Sequence, residues 1–264
     1  MKTNPVRAKL KRGEPSIGTW LNLSDSVGAQ LMARTGFDWL TVEMEHSPST
    51  FEHAARSFGI IAASGCVPLV RLSLNTTENI KRALDTGAFG IIVPLVNSRA
   101  ECEAVVGAAR YRPVGQRTIG GQLGPANFAT DSATYFARAN DEILVVLQTE
   151  SPEGVDNAEA IYSLPGVDAI FVGPNDLNAQ MRGPDGQDPT PAEHEAMCQR
   201  ILAIGKKCGT PVGIHVLSIE DCQRRINEGW QFMALGSELR FMVVEAQKMV
   251  QGMNLKQSGD LARY

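Results

Sequence analysis

The chain has 264 residues, 43% of them apolar and 20% charged, with a formal net charge of -4. That is an ordinary globular mixture, long enough to bury a sizeable core, and its acidic balance leaves no basic footprint for nucleic acid. No apolar run reaches the length of a bilayer span, and the basic opening "MKTNPVRAKLKRGEP" lacks the apolar stretch of a secretion signal; no membrane partner and a cytoplasmic address are expected.

Residues 1–14 read as a short N-terminal extension. From there, short β-favouring apolar runs alternate with longer segments of helical period. In chain order the strand candidates are "SIGTWLNL", "FDWLTVEME", "VPLVRLS", "GIIVPLV", "ILVVLQTE", "DAIFVGPND", "PVGIHV" and "FMALGSE". A helical segment follows each, from "SDSVGAQLMARTG" after the first to "LRFMVVEAQKMV" after the last. Several open on Ser, Asn or Asp, the usual N-caps, and five are followed by Gly36, Gly65, Gly87, Gly209 or Gly229, the usual left-handed stop. Alternation of this kind predicts βαβ units on a parallel sheet. Eight units in about 250 residues fit a single-domain (β/α)8 TIM barrel. A doubly wound sheet is disfavoured, because no Gly-rich phosphate fingerprint follows the first strand.

One segment interrupts the rhythm. Residues 111–141 form a long connection, whose glycines, Arg112 and Arg117 suggest a lid or an anion-binding loop, with a plain surface Ω-loop as the alternative. Residues 252–264 read as a C-terminal tail. The five cysteines, Cys66, Cys102, Cys198, Cys208 and Cys222, are odd in number and never form a CxxC pair. They read as reduced thiols rather than a disulfide framework or a zinc site.

In a TIM barrel the C-terminal ends of the strands converge on one mouth. Here those ends carry Trp20 and Asn22, then Glu43, Glu45 and His46, then Arg71 and Ser73. Further along come Gln148 and Glu150, Gly173 through Asp176, His215, and Ser237 with Glu238. The opposite ends are mostly Gly, Phe, Pro and small residues. Glu150 and Asp176 end consecutive strands, so their carboxylates should be neighbours. Two adjacent unpaired acids repel. A divalent cation such as Mg²⁺ or Mn²⁺ resolves that conflict; a general acid–base pair and two solvated acids are the competing readings. Arg71 beside a cation could stabilise an enolate, or simply pair with Glu43 or Glu45. Backbone N–H groups after Gly173 could receive a carboxylate. Together these groups describe a site for a 2-oxo acid. His46 is the candidate base, since an unperturbed imidazole titrates near neutrality. His215 is a weaker candidate, and His53 and His194 are expected on helix surfaces.

The landmarks "GTWLNLSD", "GFDWLTVEMEHSP", "VPLVRL", "ALDTGAFGIIVPLVNS", "ARYRPVGQRTIGG", "QTES", "GVDAIFVGPNDL" and "ALGSE" occur in order along residues 16–249. By them the chain resembles the HpcH/HpaI family of class II, metal-dependent pyruvate aldolases. The resemblance implies a (β/α)8 barrel assembled as a homo-hexamer with a swapped last helix. It implies reversible cleavage of a 4-hydroxy-2-oxo acid to pyruvate and an aldehyde, with possible side activity on oxaloacetate. It implies Glu150 and Asp176 as ligands of Mg²⁺, Mn²⁺ or Co²⁺, and Arg71 at the keto oxygen. His46 would transfer protons, and Asp85, of the same or a neighbouring subunit, would pair with it. Trp20, Gln148, Gly173 and Asn175 would line the pyruvate pocket, with Glu45 in support. The family often has Asp in place of Glu43, Gly in place of Thr118 and Asp in place of Glu238, departures that bear on substrate identity. A CoA-ester lyase and a non-catalytic 2-oxo-acid-binding barrel are the alternative functions.

Overall fold

The computed structural model describes residues 1–255. All eight apolar runs form strands, and all but β7 end short of the run's C-terminal residue. Helix α1 (Pro5–Lys11) leads into β1 (Ser16–Leu21) and α2 (Ser26–Met32), then β2 (Trp39–Glu43), α3 (Phe51–Ala63), β3 (Val67–Arg71) and α4 (Thr77–Asp85). Next come β4 (Gly90–Val93), α5 (Arg99–Ala109), α6 (Leu123–Asn127), α7 (Ser132–Glu142) and β5 (Leu144–Thr149). Two short helices, α8 (Pro152–Asp156) and α9 (Ala158–Tyr162), precede β6 (Ala169–Val172) and α10 (Pro174–Gln180). The chain continues through α11 (Pro191–Cys208), β7 (Val212–Val216), α12 (Ile219–Glu228), β8 (Phe232–Ser237) and α13 (Glu238–Gly252).

Every strand pairs in parallel with its sequence neighbours, and β8 pairs with β1 to close the barrel. Strands buried on both faces must be apolar throughout, which is why these runs do not alternate. Helix starts are fixed by side-chain oxygens: Asp25, Thr50, Thr76, Ser98, Thr190 and Ser218 each accept a first-turn N–H. Gly209 and Gly229, at φ +70° and +104°, end α11 and α12 in the left-handed conformation.

The barrel floor is aromatic. Trp39 and Phe232 stack at 4.4 Å, and Phe171 meets Phe232 edge-on at 5.9 Å. Rings of this size fit only where the facing strand has no side chain. A Cβ on Gly18 would stand 2.0 Å from the Trp39 ring, and one on Gly213 would stand 1.9 Å from the Phe232 carbonyl oxygen.

Two expectations change. Residues 1–14 are more than an extension. Asn4 caps α1, its backbone N–H donates to Glu142 and its amide donates to the Phe89 and Glu142 carbonyls. Val6 and Leu10 are thereby buried in the core. Residues 111–141 contain α6 and α7, and they join the end of α5 to the start of β5. Chain leaving a helix for the next strand runs at the N-terminal face of a barrel, so this segment cannot be a lid over its own protomer's mouth. Arg117 is buried there against the Tyr111 ring, 4.6 Å away, while Arg112 is exposed. Of the 252–264 tail, residues 256–264 lie outside the described residues. Among the described residues no helix is long and apolar enough to cross a membrane.

Candidate active site

Side chains alternate along a strand, so Trp39, Thr41 and Glu43 share the inner face of β2, with Glu43 nearest the mouth. Glu43 is fully buried. Its Oε2 accepts from Arg71 Nε at 2.5 Å. Its Oε1 accepts from the backbone N–H groups of Glu45 at 2.6 Å and His46 at 3.1 Å. Ser47 Oγ donates to the Glu43 carbonyl and tightens the same turn. One carboxylate therefore positions both the arginine and the backbone that carries His46.

Arg71 ends β3, beside Glu43 in register. Its Nη1 lies 3.4 Å from Glu45 Oε2, and its guanidinium lies over the Trp20 ring at 4.9 Å. A guanidinium has five N–H donors, so donors remain for a ligand. Burial pushes the half-buried Glu45 carboxyl up, with Arg71 opposing. The His46 side chain is 58% exposed, with Nε2 3.9 Å from Glu45 Oε2.

Glu150 is buried just beyond β5. Its Oε1 accepts from the Leu95 N–H at 2.9 Å and its Oε2 from Gln148 Nε2 at 2.7 Å. Burial pushes its carboxyl up to about 7; the Leu95 N–H opposes the shift, while Asp176 and Glu45 add to it. Asp176 lies in the first turn of α10. A Cβ on Gly173 would stand 2.5 Å from Glu150 Oε2, 3.3 Å from Gln148 Nε2 and 3.6 Å from Asp176 Oδ2. Glycine is required at that point, and the two carboxylates converge on it. Asn175 is exposed beside Asp176.

The mouth thus gathers Glu43, Glu45, Glu150 and Asp176 around Arg71. A cation there would offset both the burial that chiefly raises the Glu150 carboxyl and the charges of Asp176 and Glu45 that add to it. Among the described residues no three His, Cys, Asp or Glu side chains form a closed metal cage. Two converging carboxylates fit a hard divalent ion that takes its other oxygens from water and ligand.

Asp85 is placed differently from the rest. It ends α4, at the N-terminal face of the barrel, where it pairs with Arg117 at 2.8 Å. Within one protomer it cannot meet His46. His53 lies on α3 and contacts Ser57 Oγ at 3.2 Å. His194 lies on α11 as expected, but its Nε2 is 2.9 Å from the Pro174 carbonyl, which ties α11 to the turn bearing Asp176. Glu238 accepts from the Leu23 N–H at 2.6 Å and so holds the loop after β1.

A model of the HpcH/HpaI aldolase/citrate lyase family matches residues 16–244. The chain belongs to this family. The hydroxypyruvate/pyruvate aldolase of Chromohalobacter salexigens is 36% identical over 247 residues, covering 94% of this chain and 96% of the relative. The 4-hydroxy-2-oxo-heptane-1,7-dioate aldolase of Escherichia coli is 35% identical over 246 residues, 93% of each chain. The crystal structure of an HpcH/HpaI aldolase/citrate lyase family protein from Burkholderia cenocepacia superposes with a TM-score of 0.87 at 30% identity, covering 96% of this chain and all of that one. Within this HpcH/HpaI barrel, Glu43 was the least expected organiser. Its signal was its place on the same strand face as Trp39 and Thr41.

Glu43→Gln tests that role. The variant keeps an acceptor for the turn but removes the charge facing Arg71. Catalytic turnover is expected to fall about tenfold to a hundredfold, and stability by about 1.5–3 kcal/mol, the worth of a hydrogen bond to a charged group. Turnover and thermal midpoint measured together check this; an unchanged kcat would show that Arg71 does not need the carboxylate.

Proposed function

We propose that the chain reversibly cleaves a 4-hydroxy-2-oxo acid to pyruvate and an aldehyde, with Glu150 and Asp176 holding Mg²⁺, Mn²⁺ or Co²⁺. The observation that carries this reading is the convergence of Glu150 and Asp176 at Gly173, in a mouth where Arg71 is already fixed. When bound there, a divalent cation supplies Lewis-acid charge to the oxygens of the 2-oxo acid. The chain's own groups do the rest. No side chain caps α10, so its first N–H groups can receive the substrate carboxylate beside Gly173 and Asn175. Gln148 orients Glu150, and Trp20 walls the pocket. Arg71 donates to the ketone oxygen, held there by Glu43 and Glu45. His46 accepts the proton of the 4-hydroxyl, the C3–C4 bond breaks, and its electron pair moves onto the ketone oxygen at Arg71. The aldehyde leaves, and protonation at C3 completes pyruvate.

The proposal extends to a homo-oligomer, a hexamer on the family pattern. Asp85 can meet a His46 only on another copy. Helix α13 buries no residue along its 15 positions, although Phe241, Met242 and Met249 are exposed on it, which suits a helix exchanged between copies. Purified protein given Mn²⁺ is expected to cleave 4-hydroxy-2-oxo acids and to decarboxylate oxaloacetate. EDTA should silence both activities and added Mn²⁺ restore them. Pyruvate binding without either reaction would leave only a binding barrel.

A further inference from the structure

The proposed reaction uses the β2, β3, β5 and β6 side of the mouth and leaves a polar corner at β7, β8 and β1 unassigned. His215, near the end of β7, meets the Trp20 ring edge-on at 6.2 Å. Trp20 is the same ring that carries Arg71 at 4.9 Å, so the histidine is one side chain removed from the reacting centre. Its ring faces the Gly236 backbone, which favours the protonated imidazole. Gly236 sits at φ +59°, where the register of β8 on β1 slips between the Gly18↔Ala234 and Trp20↔Ser237 pairs. That irregularity leaves Gly236 out of the register pairs of β8 with both neighbouring strands.

With the neutral ring's one N–H turned to the Gly236 backbone that it faces, Nε2 is left as an acceptor. Nε2 is buried and has no partner. Burial holds the imidazole at about 4, so it stays neutral at physiological pH, and the nearby positive charges of Arg71 and Arg240 act in the same direction. A second acceptor is also unsatisfied: Asn22 Oδ1, just past the end of β1 and two residues after Trp20, is buried with no hydrogen-bond partner among the described residues. A buried acceptor left unpaired costs about 1–3 kcal/mol. Two together call for a ligand that brings O–H donors.

We infer that His215 Nε2, with Asn22 Oδ1, accepts hydrogen bonds from a hydroxyl group on the aldehyde half of the substrate, making His215 a specificity residue for hydroxylated aldehydes. This rests on the aldolase reading. In that reaction pyruvate carries no O–H donor, and its oxygens face Arg71 and the carboxylate side of the mouth. The aldehyde is therefore the component that can satisfy the corner. A neutral lone pair does not attract a carboxylate, and it gains nothing from an alkyl chain.

The test compares glycolaldehyde with acetaldehyde, each added to pyruvate and Mn²⁺, in the wild type, His215→Leu and His215→Gln. Wild type is expected to favour glycolaldehyde in kcat/KM by at least about tenfold, since a site built to bond a hydroxyl discriminates strongly against its absence. His215→Leu should lose that preference chiefly through KM for glycolaldehyde. His215→Gln, which keeps an acceptor, should recover part of it, and thermal melting reports whether each variant is folded. A preference unchanged in folded His215→Leu, or an equal loss on both aldehydes, overturns the assignment. Absence of aldol turnover with either aldehyde in the wild type overturns the aldolase reading instead, and this inference with it.

Discussion

Glu150→Gln is expected to abolish tight Mn²⁺ binding and to lower aldol turnover by about 10³-fold, the upper range for losing one electrostatic element of a catalytic centre. The amide is isosteric and can still accept from the Leu95 N–H, so the fold should survive. A second readout comes from the metal-free protein. The Glu150 carboxyl lies at about 7 against an ordinary 4.5, chiefly because it is buried. Between those values the folded chain holds a proton that the unfolded chain has released. A raised carboxyl of this kind stabilises the fold fully below about 4.5, and that contribution is lost as pH rises through 7. Its upper bound is about 3 kcal/mol. In EDTA the wild-type thermal midpoint should therefore fall from pH 5.5 to 7.5 more steeply than that of Glu150→Gln. Added Mn²⁺ should raise the wild-type midpoint at pH 7.5 and leave the variant unmoved. Equal slopes together with equal Mn²⁺ affinity would remove Glu150 from the ligand set.

Arg71→Lys should be nearly as damaging, with kcat falling about 10²–10³-fold and KM moving less. Lysine keeps the positive charge, so Glu43 is not left buried beside nothing. It cannot keep the fork, because a single ammonium cannot reach Glu43 at 2.5 Å and Glu45 at 3.4 Å while also addressing a ketone oxygen. It also gives up the planar contact with Trp20. Steady-state kinetics beside a melting curve separates loss of chemistry from loss of fold. A kcat within tenfold of wild type would mean that a point charge suffices and that the planar geometry is idle.

Much of this was legible in the residues. The eight strands were readable because parallel strands buried on both faces leave continuous apolar runs, and their helices carried visible caps. The convergence of Glu150 and Asp176 followed from their places just after consecutive strands, Glu150 beyond β5 and Asp176 in the turn that opens α10. Helix α1 was missed because basic residues dominate its composition, although Asn4-Pro5 and the i, i+4 pair Val6 and Leu10 were a cap and a buried stripe in plain view. Of the readings open for residues 111–141, the lid fails because length and glycine do not tell which face of a barrel a loop occupies; direction of travel from helix to strand does. The partner of Asp85 was not readable at all. Its ion pair with Arg117 depends on how a long connection folds back on the end of α4, and no local pattern encodes that.

Glu43 has a further consequence, for divergence within the fold. Because its two oxygens hold Arg71 and the His46 turn at once, the proposed electrophile and base are yoked to one stem. Shortening that stem to Asp withdraws it by one carbon–carbon bond, roughly 1.5 Å, and draws both groups along together. The spacing between them is inherited while the depth of the pocket changes. A position of this kind works as an adjustable gauge, by which the same chemistry can be refitted to a longer or shorter substrate without being rebuilt.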